Sequence, residues 1–132
     1  IDQNIKALFL DGYRFYGECI DLILVYNKGV AFTLFAFLDE YLKWIQIVLL
    51  IGVITYIIYK KLYAFILPIA IVVGAGASNI YDRFIHEGVV DYFYWHCGFN
   101  FAIFNFADVM INVAVLLIAI IHYKESSNKK EV

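Results

Sequence analysis

Residues 74–108 read GAGASNIYDRFIHEGVVDYFYWHCGFNFAIFNFAD and form a polar break between two stretches oily enough to sit in lipid. Within the break lie Asn79, Asp82, Arg83, Asp91, Asn105 and Asp108. An ionised side chain at the centre of a membrane helix costs about 2.5–3.5 kcal/mol on insertion scales, so carboxylates beside such segments are functional candidates by default. The rest of the chain reads as a device that holds these groups at one membrane surface.

Upstream of the break, Leu62 to Ile80 is an apolar span containing Pro68. It ends in the small residues Gly74-Ala75-Gly76-Ala77-Ser78, which let a neighbouring helix approach closely. Before it, Tyr41 to Tyr59 is interrupted only by Lys43, Gln46 and Thr55. Lys43 can snorkel from the end of that span. Downstream, a third span runs from about Phe101 to His122, followed by a charged tail over 124–132. The sequence is 64% hydrophobic and 19% aromatic over 132 residues, with mean hydropathy +0.77. A soluble domain of this length cannot hide that much apolar surface. The expectation is one membrane-embedded domain over 1–132. The net charge of −2, with no basic cluster, points away from nucleic acid.

Residues 1–40 lack a clean span. The apolar runs Ile20–Val25 and Phe32–Phe37, with the turn signal Asn27-Lys28-Gly29 between them, predict a β-rich segment. Its aromatics, among them Phe9, Tyr13, Phe15, Tyr16 and Tyr26, suit a membrane interface. Lys60-Lys61 and tail lysines 124, 129 and 130 are the juxtamembrane positive clusters, and the positive-inside rule puts both in the cytoplasm. Residues 1–40 and the 82–98 loop then share the outer face. Ile1 also falls outside, which predicts a preceding helix largely beyond this sequence.

Cys19 and Cys97 lack metal-type spacing, and His96 beside Cys97 is too little for a zinc site. They read as free thiols, with a disulfide open to them because both fall on the outer face. No metal or cofactor is expected.

Asn105, Asp108 and Asn112 fall at i, i+3 and i+7 and share a helical face. Asn112 reads as a hydrogen-bonding group between helices. Asp82 beside Arg83 reads most simply as a helix-end charge pair. Asp91, taken alone, reads as a solvated loop carboxylate. Asp108, set among apolar residues, has no comparably bland reading. Two facing carboxylates in a low-dielectric site share a proton, so one can activate water while the other protonates a carbonyl oxygen. Serine or cysteine chemistry finds little support, since Ser78 has no base nearby in sequence. Physical reasoning leaves open which aspartate partners Asp108.

At this point four blocks resemble the bacterial lipoprotein signal peptidases (signal peptidase II). Asp2-Gln3-x-x-Lys6 resembles that family's DQxxK. Asn27-Lys28-Gly29-Val30-Ala31-Phe32 is similar to NxGxAF. Gly74 through Arg83 and then Val89-Val90-Asp91-Tyr92 resemble GGxxGNxxDR and VVDF. Phe104-Asn105-Phe106-Ala107-Asp108 matches FNxAD. The resemblance implies an α-helical integral membrane protein, a four-helix bundle whose first helix is largely missing here, with a small extracytoplasmic β-sheet cradle. It implies an aspartic endopeptidase of the bacterial cytoplasmic membrane that cuts prolipoproteins before the diacylglyceryl-modified cysteine. Asp91 and Asp108 carry over as the catalytic pair. Asn27, Asn79, Asp82, Arg83 and Asn105, with Asp2 and Lys6, carry over as positioning or supporting residues. Membrane lipids and a globomycin-type inhibitor are the other expected partners, and a monomer suffices. Ser78, Ala75 and Tyr92 depart from the family pattern in ways that touch packing. The rival reading is a small transporter or ion-coupled subunit using Asp108, which would place its carboxylates nearer the bilayer midplane.

Overall fold

The computed structural model describes residues 1–29, 38 and 40–128. In chain order the elements are α1 (Asp2–Leu10), β1 (Phe15–Tyr16), β2 (Ile20–Asn27), α2 (Glu40–Tyr59), α3 (Ile66–Ile85), β3 (Val89–Trp95) and α4 (Phe106–Asn128). Among the described residues three helices, over Tyr41–Tyr59, Tyr63–Ile85 and Phe106–Asn128, are long and apolar enough to cross a membrane. Many of their large apolar side chains, such as Val48, Leu49, Ile58, Leu67 and Leu116, are exposed. Apolar exposure on that scale suits lipid and not water. The chain is a multi-pass helical membrane protein with a small antiparallel sheet.

The helix ends explain the spans' limits. At the end of α2 the amides of Leu62 and Lys61 bond back to the carbonyls of Ile57 and Ile58, with Lys61 at φ 54°. This is the Schellman pattern with lysine in the left-handed position usually given to glycine. Pro68 falls in the first turn of α3, where its missing N–H costs nothing.

The sheet order is β1-β2-β3, and β2 lies antiparallel to both neighbours. Asn27 pairs with Val89 and Val25 with Asp91. After β3 the chain folds back so that Phe93 and Phe104 exchange backbone hydrogen bonds at 2.9 and 3.1 Å. That return sets Asn105 beside Asp91 before α4 begins. Phe9 stacks on Tyr92 with ring centroids 4.4 Å apart, joining α1 to the sheet.

Several expectations change. Residues 2–10 of the segment read as β-rich form a helix, because Asp2, Lys6 and Phe9 fall on one face at helical spacing and that face is buried. The segment read as a loop over 82–98 completes α3 to Ile85 and then forms β3. The third span starts at Phe106 rather than Phe101, because the preceding residues pair with β3. Cys19 and Cys97 form a disulfide instead of free thiols. The β2–β3 register pairs Ile20 with Trp95 and lets the His96 amide bond the Cys19 carbonyl at 3.0 Å, which brings the two cysteines together. The expected strand over 32–37, residues 30–32 of the second motif, and Lys129 and Lys130 lie outside the described residues.

Candidate active site

The polar residues singled out in the sequence converge where α1, α3, β3 and the start of α4 meet. Lys6 is fully buried, and its ammonium uses three donors on three partners. These are Asp2 Oδ2 at 2.7 Å, Asp82 Oδ2 at 2.6 Å and Asn79 Oδ1 at 2.9 Å. Asp82, also fully buried, further accepts from Gln3 Nε2 at 2.8 Å and from the Val90 amide at 3.0 Å. Reading Asp82 with Arg83 as a helix-end pair therefore misses its partner. Adjacent helical residues face different directions, and Asp82 turns towards α1. Arg83 donates to the carbonyls of Lys28 and Gly29, tying the turn after β2 to α3. Ser78, read as a packing departure, donates to Asp2 Oδ2 at 2.6 Å and accepts from Gln3 Nε2 at 2.9 Å.

Asn79 joins this cluster to the second one. Its Oδ1 accepts from Lys6, which has no acceptor to offer, so the amide orientation is set. Its Nδ2 must then face Asp108, and it donates to Asp108 Oδ1 at 3.0 Å. Asn105 Nδ2 lies 3.1 Å from Asn79 Oδ1 and 2.7 Å from Asp91 Oδ1. Asn27 Nδ2 reaches the other oxygen of Asp91 at 3.0 Å. The side-chain amides of Asn27, Asn79 and Asn105 thus hold both carboxylates.

The start of α4 explains why Asp108 is so firmly placed. A helix N-terminus leaves its first amides without internal partners. Here the Phe106 amide donates to Tyr92 Oη at 3.0 Å, Ala107 to Asp2 Oδ1 at 3.0 Å and Asp108 to Asn105 Oδ1 at 2.9 Å. The Asn105 amide in turn donates to Asp108 Oδ2 at 3.1 Å. This reciprocal pair is a capping box built from asparagine and aspartate. The Asn-x-x-Asp spacing before an apolar run was available in the sequence as its signal. Tyr92 does more than pack, since its hydroxyl caps the helix. Burial pushes that phenol up to about 12, so it stays protonated.

Asp91 and Asp108 both line a cavity of about 650 Å³ that continues between Phe101, Ile103, Val109 and Leu116. Asp91 is 2% exposed, whereas Asp108 is half-buried and more open to the cavity. Burial pushes the Asp91 carboxyl up to about 7, and the charge of Asp108 adds to the rise. The amide of Asn27 acts in the opposite sense without cancelling it. Among the described residues no cluster of three histidine, cysteine or acidic side chains is arranged to hold a metal. Away from the site, His96 Nε2 lies 3.3 Å from Asp21 Oδ1, and its neighbour Cys97 is in the disulfide. Asn112 forms no hydrogen bond between helices among the described residues and instead lines the cavity.

A family model described as signal peptidase (SPase) II matches residues 1–124. The lipoprotein signal peptidase of Sulfurimonas denitrificans is 64% identical over 124 residues, covering 94% of this chain and 81% of that protein. That of Wolinella succinogenes is 57% identical over 119 residues, covering 89% and 82%. A solved bacterial membrane enzyme, crystallised in meso, superposes with a TM-score of 0.83 at 26% identity, covering 99% of this chain and 85% of that one.

Proposed function

The chain belongs to the signal peptidase II family, the peptidases that process lipoprotein precursors, and from that premise we propose that Asp91 and Asp108 are its catalytic pair. The observation that carries this is a buried carboxyl and a more open one, held by asparagine amides and lining one largely apolar cavity. Asp91 holds the proton and Asp108 is the base. Asp108 draws a proton from water as the water oxygen attacks the scissile carbonyl carbon, and Asp91 gives its proton to the carbonyl oxygen. The tetrahedral diol then collapses. Asp91 takes back a proton from a diol hydroxyl, Asp108 protonates the leaving nitrogen, and the C–N bond breaks. Both carboxyls return to their starting states.

The cut falls before the diacylglyceryl-modified cysteine, whose acyl chains suit a largely apolar cavity. The site lies at the extracytoplasmic face of the bacterial cytoplasmic membrane, in keeping with Lys60 and Lys61 at the opposite end of the bundle. Asn27, Asn79 and Asn105 position the carboxyls, while Asp2, Lys6, Asp82 and Arg83 support them. Membrane lipid, a globomycin-type inhibitor and a monomeric state complete the reading. A transport role for Asp108 is not favoured, because the relatives consistently carry the peptidase name.

The test is a gel-shift processing assay in lipid with a diacylglyceryl-modified precursor. Wild type cleaves, while folded Asp91→Asn and Asp108→Asn do not. Cleavage by Asp91→Asn together with none by Asp82→Asn would move the pair to Asp82 and Asp108.

A further inference from the structure

Two side-chain amides on the cavity wall have no part in the scheme above. Gln46 on α2 and Asn112 on α4 line the same cavity as Asp91 and Asp108. Asn112 follows Asp108 by four residues, about 6 Å further along the helix at its ordinary rise. Gln46 is half-buried, and its Oε1 is enclosed with no hydrogen-bond donor among the described residues. Within a membrane span an enclosed acceptor without a donor is unfavourable, and little water is at hand to relieve it. Elsewhere on the cavity wall, Phe101, Ile103, Val109 and Leu116 have apolar side chains that supply no donor.

A lipid-modified precursor brings two kinds of chain to this cavity. Acyl chains are apolar, and their ester groups only accept hydrogen bonds. A peptide must be extended for a carboxylate pair to reach its backbone, and an extended peptide carries unpaired N–H and C=O groups. An enclosed acceptor is matched by the peptide and not by the lipid. We propose that Gln46, turning its Oε1 into the cavity that it and Asn112 both line, binds the backbone of the precursor segment just before the modified cysteine, making its part of the wall the peptide side of the cavity. The inference rests on the peptidase reading above and adds a specificity-determining residue to it.

The test uses the full-length protein in lipid and a set of diacylglyceryl-modified precursor peptides. In each peptide one backbone amide among the three residues before the modified cysteine is replaced by an ester, with the scissile bond untouched. An ester removes the N–H and weakens the carbonyl as an acceptor. For wild type, one of the esters raises KM about five- to tenfold, the range for one hydrogen bond, with kcat within about twofold. Gln46→Met shows the same rise with the all-amide peptide and no further rise with that ester. Its melting temperature is equal to or above that of wild type, because the enclosed acceptor is gone. Gln46→Leu repeats the pattern. The inference is overturned if Gln46→Met keeps the wild-type KM, if its loss adds to that of the ester, or if its melting temperature falls. Wild type leaving the all-amide peptide uncut removes the peptidase reading, and this inference with it.

Discussion

Two carboxylate clusters flank Asn79, and they are built on opposite terms. On one side Asp2 and Asp82 share the ammonium of Lys6, and all three are buried. Serine, glutamine and backbone donors complete that cluster. On the other side Asp91 and Asp108 receive amides in place of an ammonium and face a cavity. The closed cluster has its charge neutralised and is fixed in place. The open one keeps unneutralised acidity, and Asp91 is pushed up to about 7. On the proposed reading, equal residue types thus divide into scaffold and chemistry according to whether a cation is supplied.

The sharpest way to break this division is to neutralise one member of the open pair. Asp91→Asn or Asp108→Asn is expected to lower processing by about 10⁴-fold, the top of the range for acid–base catalysis, because each removes two proton transfers per turnover. The melting temperature of Asp91→Asn should hold or rise, since a buried acid is lost without leaving a partner charge behind. Activity retained with stability lost would reverse the two assignments. Next comes Lys6→Met, which strands Asp2 and Asp82. It is expected to cost about 3–5 kcal/mol of stability, as for other broken buried pairs. Thermal unfolding in detergent reads this directly, and a variant as stable as wild type would show that the cluster is no scaffold.

A finer probe is pH. Burial holds the folded Asp91 carboxyl up at about 7, above its ordinary value of 3.8. The folded protein therefore binds more protons than the unfolded one between those values. This group's stabilising contribution is fully present at low pH and is lost as pH rises through about 7. Processing is expected to fall about tenfold per pH unit above 7 as Asp91 loses the proton it donates. A kcat/KM profile still flat at pH 9 would remove Asp91 as the acid. The smallest expected effect is that of Tyr92→Phe, which strips the partner from the Phe106 amide. A loss of about 1–2 kcal/mol is expected for a half-buried orphaned donor, read as a lower melting temperature with the pH profile unmoved. A shifted profile would instead tie the cap to the chemistry.

Much of this was legible because membrane segments announce themselves by length and apolarity, and a polar break among them stands out. The spacing of Asn105 and Asp108 was visible, and so was the apolar character of the helices. Less was legible where partners come from afar. Lys6 lies 76 residues from Asp82 in sequence, and nothing local distinguishes that pair from Asp82 with Arg83. The helix at Asp2–Leu10 was obscured by a neighbouring stretch of aromatics and β-branched residues, although the spacing of Asp2, Lys6 and Phe9 is helical. The disulfide depends on the β2–β3 register, which no spacing reveals. The hydroxyls of Ser78 and Tyr92 looked like packing changes because their acceptors and donors lie on other elements.

The Cys19–Cys97 bond also has a mechanical side. It closes the chain on itself across a separation of 78 residues, and α2 and α3 lie inside that ring while α1 and α4 hang from it. A pull applied at the two ends of the chain travels through the sulfur atoms and bypasses everything between them. Two of the three spans are thereby shielded from extraction, and α4, the span that carries Asp108, is the one exposed to the load.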